Sequence, residues 1–184
     1  MKIPIEVSAR HVHLSQKDLE KLFGKTHKLK PLKKLSQAKD FAAKEELELI
    51  GKENLKARVL GPTRKESQAE ISITDAVELK TTAKLKISGD HSGATKIIVK
   101  GPKGKVKIPL IIAKRHLHIS PEQAKKLGLK NNQKVSVNVQ GPRAITFEEI
   151  PVRIKEGFKL SLHLDTDQGN AAGIREKTYG ELIK

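Results

Sequence analysis

Runs of alternating apolar and polar residues, each only a few residues long, leave this chain few choices of architecture. "ELELIG", "KARVLGP", "QAEISI", "KIIVKGP", "KVKIPLIIA", "KVSVNVQGP", "PVRIK" and "FKLSLHLDTD" read as strands, because successive side chains of a strand point to opposite faces of its sheet. Gly-Pro closes runs at Gly61, Gly101 and Gly141, where proline can neither donate to a ladder nor continue a central strand. Helical periodicity is scarce and short. Many short strands with frequent turns predict a mostly β protein, built from small barrels or sandwiches.

Two stretches repeat a longer pattern, "SARHVHLS" at residues 8–15 and "AKRHLHIS" at residues 113–120. Together they hold four of the seven histidines. In a strand, residues i and i+2 share a face. His11 therefore lies beside His13 and His116 beside His118, while Val12, Leu14, Leu117 and Ile119 turn toward the core. A helix start follows each pair. Ser15 stands three positions before Asp18, and Ser120 three before Gln123 with Pro121 at the first helical position, as in capping boxes. "QKDLEKLFG" and "PEQAKKLGL" each predict a helix of about two turns, ended near Gly24 and Gly128. Strand, histidine pair, cap and short helix occur twice, so the chain carries an internal duplication.

Composition narrows the chemistry. The 184 residues suffice for one ordinary domain or two small ones. There is no cysteine, which excludes disulfides, thiolate metal sites and a cysteine nucleophile. No apolar run is long enough to span a membrane, and the N-terminal stretch lacks an apolar signal segment. The expectation is a cytoplasmic protein with no membrane partner. The formal net charge of +16 should attract polyanions. The lysines are spread along the chain, however, and aromatics make up 3% of it, which leaves little for base stacking. A solvated lysine-rich surface is favoured over a dedicated nucleic-acid partner.

Two histidines on one strand face can hold one metal ion together, and Arg10 and Arg115 would place positive charge beside it. Further ligands are needed. His163, in "LSLHLDTD", alternates with Leu162 and Leu164, and Asp165 and Asp167 follow on its own face as candidate orienting carboxylates. A lone histidine at a strand end is the alternative. Were "GPTRKESQAEISI" extended, Arg64, Glu66, Gln68 and Glu70 would share one side. Glu70 taken alone reads as an ordinary exposed carboxylate. His27 and His91, in polar surroundings, read as neither ligands nor core.

The succession VSARHVHLS, LGPTRKESQAEIS, SGDHSGA, AKRHLHIS and LHLDTDQGNAAG closely resembles the PduL-type phosphotransacylases (phosphate propanoyltransferases), from Ile5 to Gly173. These enzymes exchange the CoA of a short acyl-CoA for phosphate. The resemblance implies two β-barrel domains with short capping helices, residues 10–113 forming one and residues 1–9 plus 114–184 the other. It implies two metal ions, usually zinc: His11, His13 and Glu70 holding one near the CoA sulfur, His116, His118 and His163 the other near phosphate. Arg64 matches the arginine that grips phosphate, and is the implied catalytic residue. Histidine and carboxylate ligands also accept cobalt or nickel. His91 stands where the pattern leads one to expect an apolar residue, and it is left out of the implied site. Some relatives carry an N-terminal extension directing them into a bacterial microcompartment. Here the first strand starts near residue 3, so a free cytoplasmic enzyme is expected.

The implied reaction converts propanoyl-CoA or acetyl-CoA plus phosphate into acyl phosphate plus CoA, reversibly, with CoA and phosphate as partners. Neither Ser15 nor Ser120, both assigned to caps, suits a nucleophile, so direct phosphate attack is expected. Two rival readings fit the histidines: a dinuclear metal-dependent hydrolase, and a non-catalytic basic β-barrel that binds polyanions around structural zinc. Neither accounts for the full-length pattern. Acyl preference and oligomeric state, a homo-oligomer included, are unmarked in the sequence.

Overall fold

The computed structural model describes residues 1–37 and 39–183; Ala38 and Lys184, inside the expected domain ranges, lie outside the described residues. From the N-terminus come β1 (Lys2–Ser8), β2 (His11–Ser15), α1 (Gln16–Phe23), β3 (Pro31–Lys34), β4 (Phe41–Ile50), β5 (Leu55–Arg64), β6 (Gln68–Ile71) and α2 (Ile73–Glu78). There follow β7 (Lys84–Lys86), β8 (Thr95–Lys100), β9 (Lys105–Ala113), β10 (His116–Ile119) and α3 (Pro121–Leu127). The chain ends with β11 (Lys134–Val139), β12 (Ile145–Ile154), β13 (Ser161–Asp165), α4 (Thr166–Ala171) and β14 (Thr178–Ile183). The protein is mostly β, with few and short helices. Among the described residues no helix is long and apolar enough to cross a membrane.

By contact density the chain forms two compact units, Met1–Ser8 with Lys114–Lys184, and Ala9–Ala113. In the first, a closed barrel runs β1-β13-β10-β12-β11-β14. In the second, β8 pairs with both β4 and β9, so β9-β6-β2-β5-β4-β8 also makes a closed circuit, with β3 and β7 attached outside it. The circuits match strand for strand. Going round from β1, the pairings are parallel, antiparallel, parallel and then antiparallel back to the start. Starting from β9 gives the same series. The duplication seen in the histidine stretches thus extends to whole circuits. It includes an exchange: β1 precedes the His11 strand but closes the circuit of His116, and β9 precedes the His116 strand but closes that of His11.

Local sequence explains how the histidine strands are held. Val12, Leu14, Leu117 and Ile119 are fully buried, the first two in a core with Leu22, Leu49 and Val59, the others in a core with Ile3, Ile150 and Leu162. Each such side chain contributes roughly 1.5–3 kcal/mol on burial. A one-residue slip would drive the histidines into the cores instead, so the register is strongly specified. The strands then end as the sequence requires. Ser15 Oγ accepts from the Asp18 amide at 3.2 Å and Ser120 Oγ from the Gln123 amide at 3.3 Å, and α3 stops at Gly128 in the left-handed region, φ 63°.

Three expectations are corrected. First, β8 and β11 end before Gly101 and Gly141, but β5 runs through Gly61 and Pro62 to Arg64. Its register on β2 jumps there: His13 faces Leu60 while Ser15 faces Arg64. A bulge tolerates a residue with no N–H. Gly61 is required by close approach, since a Cβ would lie 2.2 Å from the Phe41 ring. Second, the alternation of "PVRIK" belongs to the longer β12, which passes through Pro151. Third, the strands containing Glu70 and His163 end sooner than their alternation suggests, because Ser72 and Asp165 cap α2 and α4 through capping boxes with Asp75 and Gln168.

Candidate functional site

Each circuit gathers a cluster of donor side chains. In one, His11, His13 and Glu70 bring one ligand atom each to within 4.8 Å of one another; in the other, His116, His118 and His163 do the same. The third donor has the same origin in both. Glu70 lies directly across from His11 on the antiparallel neighbour β6, and His163 directly across from His116 on β13. The residue two before it faces the second histidine, Gln68 opposite His13 and Ser161 opposite His118. Topology thus assembles the donors from strand register alone.

The first histidine of each pair is oriented alike. His11 Nδ1 donates to the Ala9 carbonyl at 2.8 Å, and His116 Nδ1 to the Lys114 carbonyl at 2.9 Å. A carbonyl can only accept, so Nδ1 carries the proton, and in the neutral ring Nε2 is the nitrogen that bears the lone pair. Glu70 Oε1 is 3.7 Å from His11 Nε2 and 3.6 Å from His13 Nε2. In the second cluster the His116 and His163 rings stack with centroids 5.0 Å apart, His163 Nε2 lies 2.9 Å from Ser161 Oγ, and His118 stacks on Phe158 at 3.8 Å.

Electrostatics keep Glu70, His13 and His118 in ligand form. Burial would raise the Glu70 pKa, but His11 and His13 hold it well below the usual carboxylate range. Burial would lower that of His11, yet the Glu70 charge raises it overall. His13 is held well down by burial and by neighbouring His11. His118 is pushed down to about 2 by burial first, then by His163, His116, Arg153 and Lys155. Both ring nitrogens of His118, and Nδ1 of His13, lack a partner of hydrogen-bonding geometry among the described residues. Leaving such atoms buried and unpaired costs about 1–3 kcal/mol each. Three imidazoles, or two with one carboxylate, are donor sets of a borderline divalent cation such as zinc, so both clusters fit the metal that the resemblance implies.

Arg64 lies at the exposed end of β5. Its Nη1 donates to Ser88 Oγ at 3.1 Å, and Ser88 Oγ donates to Glu70 Oε1 at 2.6 Å. One hydroxyl therefore ties the Arg64 guanidinium to the carboxylate of the first cluster.

Other expectations need correction. Glu70, ordinary and exposed when read alone, is 5% exposed. Gln68 and Glu70 share a face of β6, but Arg64 belongs to β5 and Glu66 to the connection between them. Arg10 does not stand by as spare charge: it pairs with buried Asp75 and donates to the Lys56 carbonyl at 2.9 Å. Arg115 likewise donates to the Glu148 carbonyl at 2.7 and 3.0 Å. Asp165, the last residue of β13, shares the face of His163, but its carboxylate accepts from the Gln168 amide at 2.8 Å as a helix cap; Asp167 belongs to α4 and does not continue that face. His27 pairs with Glu45 at 2.9 Å and stacks on Phe23, outside both clusters. His91, by contrast, reaches Gln68 and Glu66. Ser88, Phe158 and Arg153, which faces His118 from β12, are neighbours that alternation alone does not reveal, because long-range pairing must be known first.

Fold and clusters together define a duplicated, mostly β protein whose two units each present a buried donor set suited to a divalent cation. The sequence pattern of the phosphate propanoyltransferase family matches residues 4–175. Among curated proteins, the phosphate propanoyltransferase of Thermotoga maritima is 44% identical over 98% of this chain and 87% of its own length. That of Clostridioides difficile is 40% identical over 99% and 89%, and that of Shewanella putrefaciens 43% over 94% and 83%. The chain belongs to the phosphate propanoyltransferase family and is accordingly an acyltransferase.

Proposed function

We propose that this chain transfers a short acyl group, propanoyl or acetyl, from CoA to phosphate and back, as a cytoplasmic enzyme whose domains are residues 10–113 and residues 1–9 with 114–184. The observation that carries the site assignment is the link Arg64–Ser88–Glu70, an anion-gripping group one hydroxyl away from a donor cluster. When bound, a divalent cation, zinc by preference, at each of His11/His13/Glu70 and His116/His118/His163 would supply Lewis acidity toward the thiolate and positive charge toward phosphate.

The chain's own groups do the rest. Arg64 holds phosphate through charge-assisted hydrogen bonds, and Ser88 fixes the direction of its guanidinium. A phosphate oxygen attacks the thioester carbonyl carbon; that C–O bond forms, the C–S bond breaks, and CoA departs as thiolate. Cysteine is absent, and Ser15 and Ser120 accept cap hydrogen bonds, so transfer needs no acyl-enzyme. The net charge of +16 steers polyanionic CoA toward the protein and raises its on-rate at low salt.

Initial-velocity kinetics test this reading. Release of CoA thiol from propanoyl-CoA and acetyl-CoA should require phosphate and give intersecting double-reciprocal lines. Release without phosphate would point to a hydrolase, and parallel lines would overturn direct attack.

A further inference from the structure

The segment "SGDHSGA" at residues 88–94 sits in the connection from β7 to β8; its first residue, Ser88, directs Arg64, while residues 89–94 have no part in the reaction as described. It is braced on itself. Asp90 accepts from the Ser92 amide at 3.0 Å, from Ser92 Oγ at 2.6 Å and from Lys86 Nζ at 2.9 Å. From this brace it reaches β6 at successive points. Ser88 Oγ donates to Glu70, the Gly89 amide donates to Gln68 Oε1 at 2.9 Å, and His91 Nε2 lies 2.7 Å from that same oxygen. The other ring nitrogen of His91 lies 3.0 Å from a Glu66 carboxylate oxygen.

Hydrogen-bond logic gives this arrangement a direction. An amide N–H only donates, so the Gln68 atom meeting Gly89 is its oxygen, and His91 must donate to it as well. The Gln68 NH2 group is thereby turned toward Glu70 Oε1 and toward Ser88 Oγ, 2.8 Å away. Ser88 Oγ is then saturated, donating to Glu70 while accepting from Arg64 and Gln68. Gln68 itself is 1% exposed. A flipped amide would set its oxygen against a buried carboxylate.

We propose that His91 is a positioning residue for the first cluster: by donating to Gln68 it locks the amide in the one orientation that restrains Glu70 and, through Ser88, Arg64. The inference rests on reading His11/His13/Glu70 as a cation site. Partners that bond directly to a ligand typically change metal affinity 10–100-fold. His91 stands one hydrogen bond further out, with Gly89 sharing its acceptor, so about a tenfold effect is expected, at the low end of that range.

The test is a zinc titration of the metal-stripped full chain against a chromophoric chelator, comparing wild type, His91→Leu and His91→Gln. Half-buried in a loop, His91 can be replaced without disturbing either core. His91→Leu should weaken one of two zinc affinities about tenfold, leave the other unchanged, and raise KM for phosphate through misdirected Arg64. His91→Gln, which keeps a donor, should restore most of both. Two wild-type affinities in His91→Leu, or a loss of thermal stability with zinc binding unaltered, would overturn the positioning role. If wild-type zinc binding survives removal of His11 and His13, the cluster reading fails, and the proposal with it.

Discussion

Replacing Arg64 by alanine separates the catalytic account from mere stability. Arg64 is exposed, and its guanidinium donates to the hydroxyl of Ser88 at 3.1 Å. Water can replace that bond, so the fold should lose no more than about 0.5 kcal/mol, as for surface substitutions generally. For a chain of this size that is a shift of roughly 1–2 °C in Tm. Phosphate would lose much more. Removing one preorganised electrostatic group typically costs 10²–10³ in rate, about 3–4 kcal/mol of transition-state stabilisation. With phosphate varied at saturating propanoyl-CoA, kcat/KM for phosphate should fall by about that factor, while KM for propanoyl-CoA holds. Arg64→Lys, a point charge without the planar fork, should fall between the two. Ordinary phosphate saturation in the alanine variant, with an unchanged Tm, would refute the assignment of Arg64.

Two further substitutions probe the clusters and their support. His118→Leu removes two buried nitrogens that have no partner among the described residues; urea denaturation of the metal-stripped chain should show about 1 kcal/mol of added stability, while stabilisation by zinc at that cluster disappears. Asp75→Ala removes the N3 carboxylate of the α2 capping box and the partner of Arg10. Its cost should be about 2 kcal/mol, below the roughly 3–5 kcal/mol of a fully buried pair, because the Arg10 side chain is 36% exposed and regains water.

What the sequence disclosed, and what it withheld, follows from the range of each signal. The placement of His11 and His13 opposite Val12 and Leu14 needs only the period of a strand, and the helix starts at Ser15 and Ser120 need only a cap three residues from its partner. Both are local. The short helices α2 and α4 are less legible, since six residues make too few turns for an apolar face; Ile73 and Val77 of α2 are in fact 60% and 70% exposed. Their capping boxes were the available signal. Arg10 and Arg115 misled because sequence adjacency to a histidine says nothing of where a long side chain ends. Glu70, Gln68 and Ser88 become intelligible only through register: β6 sets Glu70 against His11, and a loop some twenty residues further on delivers Ser88 and His91. Long-range pairing of this kind leaves no period in the sequence. Alternation offers His163 and Glu70 as candidates and the resemblance assigns them as ligands; the strand pairings supply the reason each lies across from the first histidine of a pair.

Metal content per chain tests the central claim most directly. Wild type, a His11→Ala/His13→Ala variant and a His116→Ala/His118→Ala variant would be loaded with zinc, dialysed and measured by elemental analysis, with phosphate-dependent CoA release followed on the same samples. The account predicts about two zinc ions in wild type and about one in each variant, with both variants impaired in transfer. Wild-type zinc content in either variant, or full transfer by wild type after complete removal of metal, would contradict it.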